Sequence, residues 1–345
     1  MPDKNTKNAD IVAVANEARV SISTVSRSFN HPQLIKPATR KKIDRAIRKL
    51  GYIRNRAAQT MHGIRSGTIG LVVPTIDNAI FAEVIQAFSD AVDAHGFTIL
   101  VATHNYNLER EYAVLRKLME HRVDGVALIG LDHSEETFAL IQQQNTPALT
   151  IWNYDPAARL SCVGADNYAA GKMAAEHLLA LGHHDIALVF PPLNDNDRAR
   201  ARYDGAYNTL QSQTGEGLHS STTKARYSIA DGKEAVIELL SQTQRPTALL
   251  CGNDVLATGA IHAARKLGLN VPQDLSIIGI GDFKGSKEME PALTTIRFPA
   301  RDIGKIAGNQ LAHSIMTETR DIERIKCPIT LELRETCTAR TSEIA

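Results

Sequence analysis

In Val20-Ser21-Ile22-Ser23-Thr24-Val25-Ser26-Arg27, Ser21 is placed to cap a helix that runs from Ile22 to Phe29 and stops near Asn30-His31-Pro32. Upstream, Asp10 stands as N-cap to the short run Ile11–Ala18, and the pattern breaks at Arg19-Val20. Downstream, Pro37 suits the first turn of a third helix reaching Leu50, with Gly51 just past its end. On that third helix Ile43, Ala46, Ile47 and Leu50 fall at i, i+3, i+4, i+7 and form a stripe to be buried. Its other face carries Arg40, Lys41, Lys42, Arg45, Arg48 and Lys49. Three short helices with a tight junction between the first two make a helix-turn-helix.

The charge follows this division. Residues 1–62 hold 13 Lys and Arg against four acids (Asp3, Asp10, Glu17, Asp44), a net of +9. The whole chain carries +1, which leaves −8 on residues 63–345. A near-neutral total thus conceals a basic head on an acidic body, the pattern of a polyanion-binding module joined to a soluble domain. At 345 residues with 43% apolar content, two or three domains with a substantial core are expected. No stretch approaches the roughly 20 apolar residues that cross a bilayer. The amino terminus, MPDKNTKNAD, has no apolar run of the secretory kind, so a cytoplasmic protein without a membrane partner is expected. Cys162, Cys251, Cys327 and Cys337 show no C-x-x-C spacing, which argues against a zinc site or a disulfide framework and for buried free thiols.

Val20-Ser21-x-x-Thr24-Val25-Ser26-Arg27, followed by Leu50-Gly51-Tyr52-Ile53-x-Asn55, resembles the head of the LacI/GalR family of transcriptional regulators, and the likeness extends over nearly the whole chain. The resemblance implies that Ile22 and Ser23 begin a recognition helix that meets base edges in the major groove of double-stranded DNA, and that Arg27 reaches a base from the same helix. Ser21, Thr24 and Asn30 would position backbone phosphates. Two departures stand out. The family has glycine in the first turn where this chain has Arg19, which can take up a left-handed conformation at a cost on the order of 1 kcal/mol. Lys36 replaces the polar cap of the third helix. Residues 54–65 resemble a hinge helix and linker, in which Asn55, Ala58 and Met61 face the minor groove and Met61 takes the place of the family's inserted leucine. So short a helix is marginal alone and would fold on pairing with a second copy on DNA.

From Thr68 onward apolar strands alternate with amphipathic helices. Ile69–Pro74, Phe97–Val101, Gly125–Ile129, Ala148–Ile151, Ile186–Phe190, Ala248–Cys251, Leu275–Ile280 and Thr330–Leu333 read as strands. Such alternation means parallel sheets covered on both faces, here in two runs and hence two lobes. By resemblance the fold is an all-α helix-turn-helix head (1–53) plus an α/β periplasmic-binding-protein-like core (66–345) of two doubly wound parallel-sheet lobes. The first lobe would hold 66–164 and 297–325, the second 165–294 and 328–345, with crossovers near 164–166, 294–297 and 325–329. No heptad segment follows Arg334-Glu335-Thr336, so a homodimer is expected, and with it a pseudo-palindromic operator.

Ligands of such folds bind beyond the carboxyl ends of the strands, here between the lobes. No G-x-G-x-x-G after a strand, phosphate-binding loop, G-x-S-x-G or H-E-x-x-H motif is present, so neither an enzyme nor a cofactor is expected. His183-His184 reads as a surface turn and not as a metal pair. By resemblance the effector positions are Asn78 and Phe81 from the first lobe, with Arg200 or Arg202, Tyr227 as an aromatic wall, and Asn253 from the second. Asp254 reads as a helix cap, and Asp166-Asn167 as organising the crossover. Sugar-binding members carry aspartates where this chain has Gly281 and Trp152, while three arginines crowd 198–202. A guanidinium suits carboxylate or phosphate, and Gly279-Ile280-Gly281-Asp282-Phe283 resembles gluconate-type regulators. An anionic effector such as a sugar acid is therefore expected. Two alternatives stay open: these arginines pair with Asp195, Asp197 and Asp204, or the effector is a neutral sugar. A solute-binding receptor or sugar-processing enzyme on the same two lobes would need the leader or the catalytic groups that are missing, and would not need the head.

Overall fold

The computed structural model describes residues 9–54, 65–77, 79–214, 219–222 and 227–340. The chain divides into two compact units, Met1–Ser66 and Gly67–Ala345. In the first unit Asp10 caps α1 (Ile11–Ala18) by accepting from the Ala13 amide at 2.8 Å. Arg19 ends α1 in left-handed backbone (φ 53°), as the turn demands, and the Val20 amide closes it on the Ala15 carbonyl. Ser21 caps α2 (Ile22–Asn30), and Pro37 opens α3 (Pro37–Leu50), which has no side-chain cap at Lys36 and ends at Gly51. Val14, Ala15, Ala18, Val25, Ile43 and Ala46 form the core of this unit. Each larger aliphatic side chain so buried stabilises it by about 1.5–3 kcal/mol, which sets against the weak third-helix start.

The second unit contains two six-stranded sheets. The chain runs β1 (Thr68–Val73), α4 (Ala79–Asp93), β2 (Thr98–Thr103), α5 (Leu108–Glu120), β3 (Gly125–Ile129), α6 (Glu135–Gln143), β4 (Ala148–Asn153) and β5 (Ser161–Ala165). It crosses to α7 (Asn167–Ala180), β6 (Ile186–Phe190), α8 (Asp197–Thr214), β7 (His219–Thr222), α9 (Ile229–Leu240), β8 (Ala248–Cys251), α10 (Asp254–Lys266), β9 (Ser276–Gly281) and β10 (Thr294–Arg297). It then returns to α11 (Ala300–Thr317) and β11 (Arg324–Lys326), and ends with β12 (Thr330–Glu332). The first sheet has the order β11-β5-β4-β3-β1-β2 and the second β12-β10-β9-β8-β6-β7. Neighbours are parallel except β10 and β12, which are antiparallel.

Strands β1, β3, β6, β8 and β9 are the continuous apolar runs of sheets covered on both faces, and their residues are almost wholly buried. Four strands carried no such run: β5, β7, β10 and β11 are short and rich in Ser, Thr, Gly and charge, and all four sit at or beside a sheet edge. Strand β10, through Arg297, lies in the second sheet, so the return to the first lobe follows Arg297.

Helices α7 and α8 cross with their backbones in contact. A Cβ on Gly171 would stand 1.9 Å from the Arg202 carbonyl oxygen, and one on Gly205 would stand 2.1 Å from that of Tyr168. Only hydrogen fits at either place, so the two helices are locked in register, and α8 carries Arg198, Arg200 and Arg202 at a fixed height above the sheet.

Candidate nucleic-acid interface and interlobe cleft

On α2 the Ser21 hydroxyl accepts from the Thr24 amide and lies 2.8 Å from both the Ser23 and Thr24 hydroxyls. This fixes the start of the helix and leaves Ser21, Ile22 (47% exposed), Ser23 and Arg27 turned outward, while Val25 and Ser28 turn into the core. Lys41, Lys42, Arg45 and Arg48 are exposed on α3, whereas Arg40 pairs with Asp44 and donates to the Ser28 carbonyl, and Lys49 pairs with Glu17. Thr24 is half-buried. Asn30, expected on phosphate, accepts instead from Arg54, whose guanidinium also lies over Phe29, so in this state its carbonyl oxygen serves the head's own packing. Asn55, Ala58, Met61 and Asn78 fall outside the described residues.

The three arginines of α8 have different fates. Arg198 is buried and bonded to Asp197 at 2.9 Å; burial works against its charge, and Asp197 holds its pKa above the ordinary value. Arg200 is half-exposed and pairs with Asp132 of the first lobe. Arg202 is 4% exposed and donates to Asn167 Oδ1 (2.7 Å) and to the Gly252 carbonyl (3.0 Å), with its guanidinium 4.7 Å above the Phe298 ring. Neither of those bonds goes to a carboxylate, and burial pushes its pKa down to about 10. The alternative that these arginines pair locally therefore holds for Arg198, fails for Arg200, whose partner is 68 residues away, and leaves Arg202, of the three, without a carboxylate partner among the described residues.

Asn253 is 1% exposed and caps α10 through Oδ1, which accepts from the Leu256 amide at 3.0 Å. Its Nδ2 is buried and has no hydrogen-bond partner among the described residues. Asp254, expected as the cap, is one residue further in. Its carboxylate instead accepts from the Phe283 amide and from the Ser286 and Thr295 hydroxyls, and burial raises its pKa. It braces the loop after β9 because Asn253 already does the capping.

Trp152, at the end of β4, is 1% exposed with φ 87°. It stacks flat on Phe298 (5.2 Å, 9°) and meets Phe81 edge-on (6.1 Å). Phe81, Trp152, Phe298 and Arg202 thus form one column through the seam of the lobes. Tyr227 accepts from Asn196 and faces Tyr106 at 6.5 Å. Gly281 leaves no side chain in the cleft, and the following Asp282 is occupied by Arg297 and Arg334, both at 2.6 Å. A recess of about 510 Å3, within the usual range for small-molecule sites, opens on the seam between Asp132, Asn153, Asn167 and Arg200.

Tyr106, Asn153, Asp197 and Phe298 escaped sequence reasoning as cleft residues, although Asn153 ends β4 and Phe298 follows directly on β10, where the strand-end rule would look for them. His183 is corrected: it is 3% exposed and bonds Thr247, Ser276 and the Thr338 carbonyl, so only His184 is on the surface. It is a staple for the segment after β12. Cys162, Cys251 and Cys327 are buried free thiols and Cys337 is half-buried, its thiol bonded to the Ile277 carbonyl. No helix among the described residues is long and apolar enough to cross a membrane.

Residues 10–55 match the family model of the bacterial regulatory proteins, lacI family, and residues 175–337 match that of a periplasmic binding protein-like domain. Catabolite control protein A of Priestia megaterium is 31% identical over 95% of this chain and 99% of that protein. The structure is similar to that of the lac repressor dimer bound to operator and the anti-inducer ONPF, with a TM-score of 0.84 and 27% identity over 96% of this chain and 100% of the other. It is also similar to the transcription regulator GntR from Chromobacterium violaceum, with a TM-score of 0.73 and 28% identity over 78% and 98% of the two chains.

Proposed function

Because this chain belongs to the LacI family of bacterial regulatory proteins, a family of DNA-binding regulators and not of enzymes, we propose that it is a dimeric repressor whose hold on a pseudo-palindromic operator is set by a small anionic effector, such as a sugar acid, between its lobes. The similarity to an operator-bound repressor dimer supports the first part. Ile22, Ser23 and Arg27 read bases, Ser21, Thr24 and Asn30 meet phosphates, and Asn55, Ala58 and Met61 act in the minor groove. Arg202 carries the second part: a buried guanidinium bonded only to neutral acceptors attracts a carboxylate, and the nearby α10 cap, Asn253, has an amide hydrogen to donate. Phe81, Trp152 and Tyr227 supply apolar faces for a sugar ring, and Gly281 leaves room where a neutral sugar would need an acceptor. Of the three α8 arginines, Arg202 is the one whose bonds among the described residues reach no carboxylate, so a monoanion is the matching charge. The effector acts by linkage, binding open and closed lobes unequally.

Melting the full-length protein with a sugar acid and with the matching neutral sugar tests the reading. At about 100 times its dissociation constant a ligand adds roughly 2.7 kcal/mol. Stabilisation by gluconate and not by glucose is expected; stabilisation by glucose alone would sink the anionic reading.

A further inference from the structure

The lobes in this structure are drawn together by the protein's own carboxylate. Asp197, the first residue of α8 in the second lobe, uses its two oxygens on different sides of the seam. Oδ1 accepts from Arg198, through the backbone amide at 2.8 Å and the guanidinium at 2.9 Å. Oδ2 accepts from two first-lobe donors, the Leu131 amide at 2.7 Å and Asn153 Nδ2 at 2.8 Å. The Asn153 donor is aimed by a relay, since its Oδ1 accepts from Asn167 Nδ2 and Asn167 Oδ1 accepts from Arg202. The first-lobe loop comes close enough because residue 130 is glycine. Gly130 has φ +102°, and a Cβ there would stand 2.5 Å from Arg198 and 3.2 Å from the Asp197 carboxylate.

We propose that Asp197 is a tethered pseudo-effector: its carboxylate bridges the lobes as a free anion would and closes the cleft with no ligand bound. The proposal rests on reading the seam as the effector cleft. A ligand moves a conformational equilibrium only by its difference in affinity for the two states. The Asp197 carboxylate has such a difference, because two of its four bonds exist only when the lobes meet. Charge-assisted bonds of this kind are the stronger class. Asp132 with Arg200 adds a second, half-exposed clasp at the rim, where solvent weakens it. The closed core is thus the resting form, and an external effector acts on lobes that are already together.

The chain supplies its own reporter, since Trp152 is the single tryptophan and lies in the seam against Phe298. Acrylamide quenching of the full-length protein reads closure directly. Without ligand, wild type is expected to show blue-shifted, poorly quenched emission. Asp197→Ala should be red-shifted and several-fold more quenchable, and added formate, fitting the vacated place between Arg198, Leu131 and Asn153, should restore protection. Asp197 is not the cap of α8; Asn196 accepts from Ala199 in that role, so the variant keeps its helix start. Asp197→Asn, with a neutral acceptor in place, should fall between the two and carries the test if the alanine variant does not fold. Protection equal to wild type in either variant, or opening that formate does not reverse, overturns the proposal. Failure of the effector reading is seen separately. If formate closes Asp197→Ala while gluconate does not stabilise wild type, the pseudo-effector stands and the sugar-acid reading falls.

Discussion

Arg27 leaves the surface of α2 with its guanidinium exposed, and its neighbours Val25 and Ser28 fix the direction in which it points. Its replacement by alanine should cost about 1–3 kcal/mol of discrimination at one base position. Selection of binding sites from random DNA would show that position relaxed, and equal losses on selected and random DNA would remove Arg27 from base reading. Arg202 is tested in the same way. In Arg202→Met, calorimetry should show sugar-acid affinity reduced by about 1.5–3 kcal/mol, the worth of a hydrogen bond to a charged group; unchanged affinity would place the anion elsewhere. At this scale the sequence was readable where a local rule set the backbone, as at the caps Asp10 and Ser21 and the left-handed stop at Gly51. Pairing was less readable. Nothing in 198–202 tells that Arg198 takes its neighbour Asp197 while Arg200 reaches Asp132, because the choice depends on how close a distant loop comes. Arg19 was foreseeable, since a tight turn between two capped helices leaves left-handed backbone as its solution.

Helices α7 and α8 show what one methyl group would do to an element. Gly205→Ala forces α8 away from the Tyr168 carbonyl. Overpacking of this kind costs about 1–3 kcal/mol, to be read from urea unfolding. The same displacement moves Arg202, so affinity for the effector should fall together with stability. A variant with wild-type stability would mean that the helices are not in backbone contact. The strands were legible in proportion to their apolar content. Those at the centre of the sheets announce themselves, whereas β5 and β10 are written as Ser161-Cys162-Val163-Gly164-Ala165 and Thr294-Thr295-Ile296-Arg297. Their pairing comes from neighbours already in place, and local propensity is silent about that.

For the whole molecule, acid is the expected weakness. Burial lowers the pKa of His104, His177 and His183, so the folded state takes up protons less readily than the unfolded chain, whose histidines titrate near 6.5. Their contribution to stability is complete above that value and declines as pH falls below it. Urea midpoints measured between about pH 7.5 and 5.5 should therefore drop with acidity, and a flat profile would contradict the buried, neutral state of these rings. The three crossings between the lobes have a consequence for synthesis. The first sheet is not complete until β11 is made, and α11, which packs on α4, is also late. By then every strand of the second sheet except β12 has already been synthesised. Neither lobe can finish during translation ahead of the other, so the core is obliged to assemble late and nearly at once. A nascent chain arrested after Arg297 would show a first sheet of five strands waiting for α11 and its sixth.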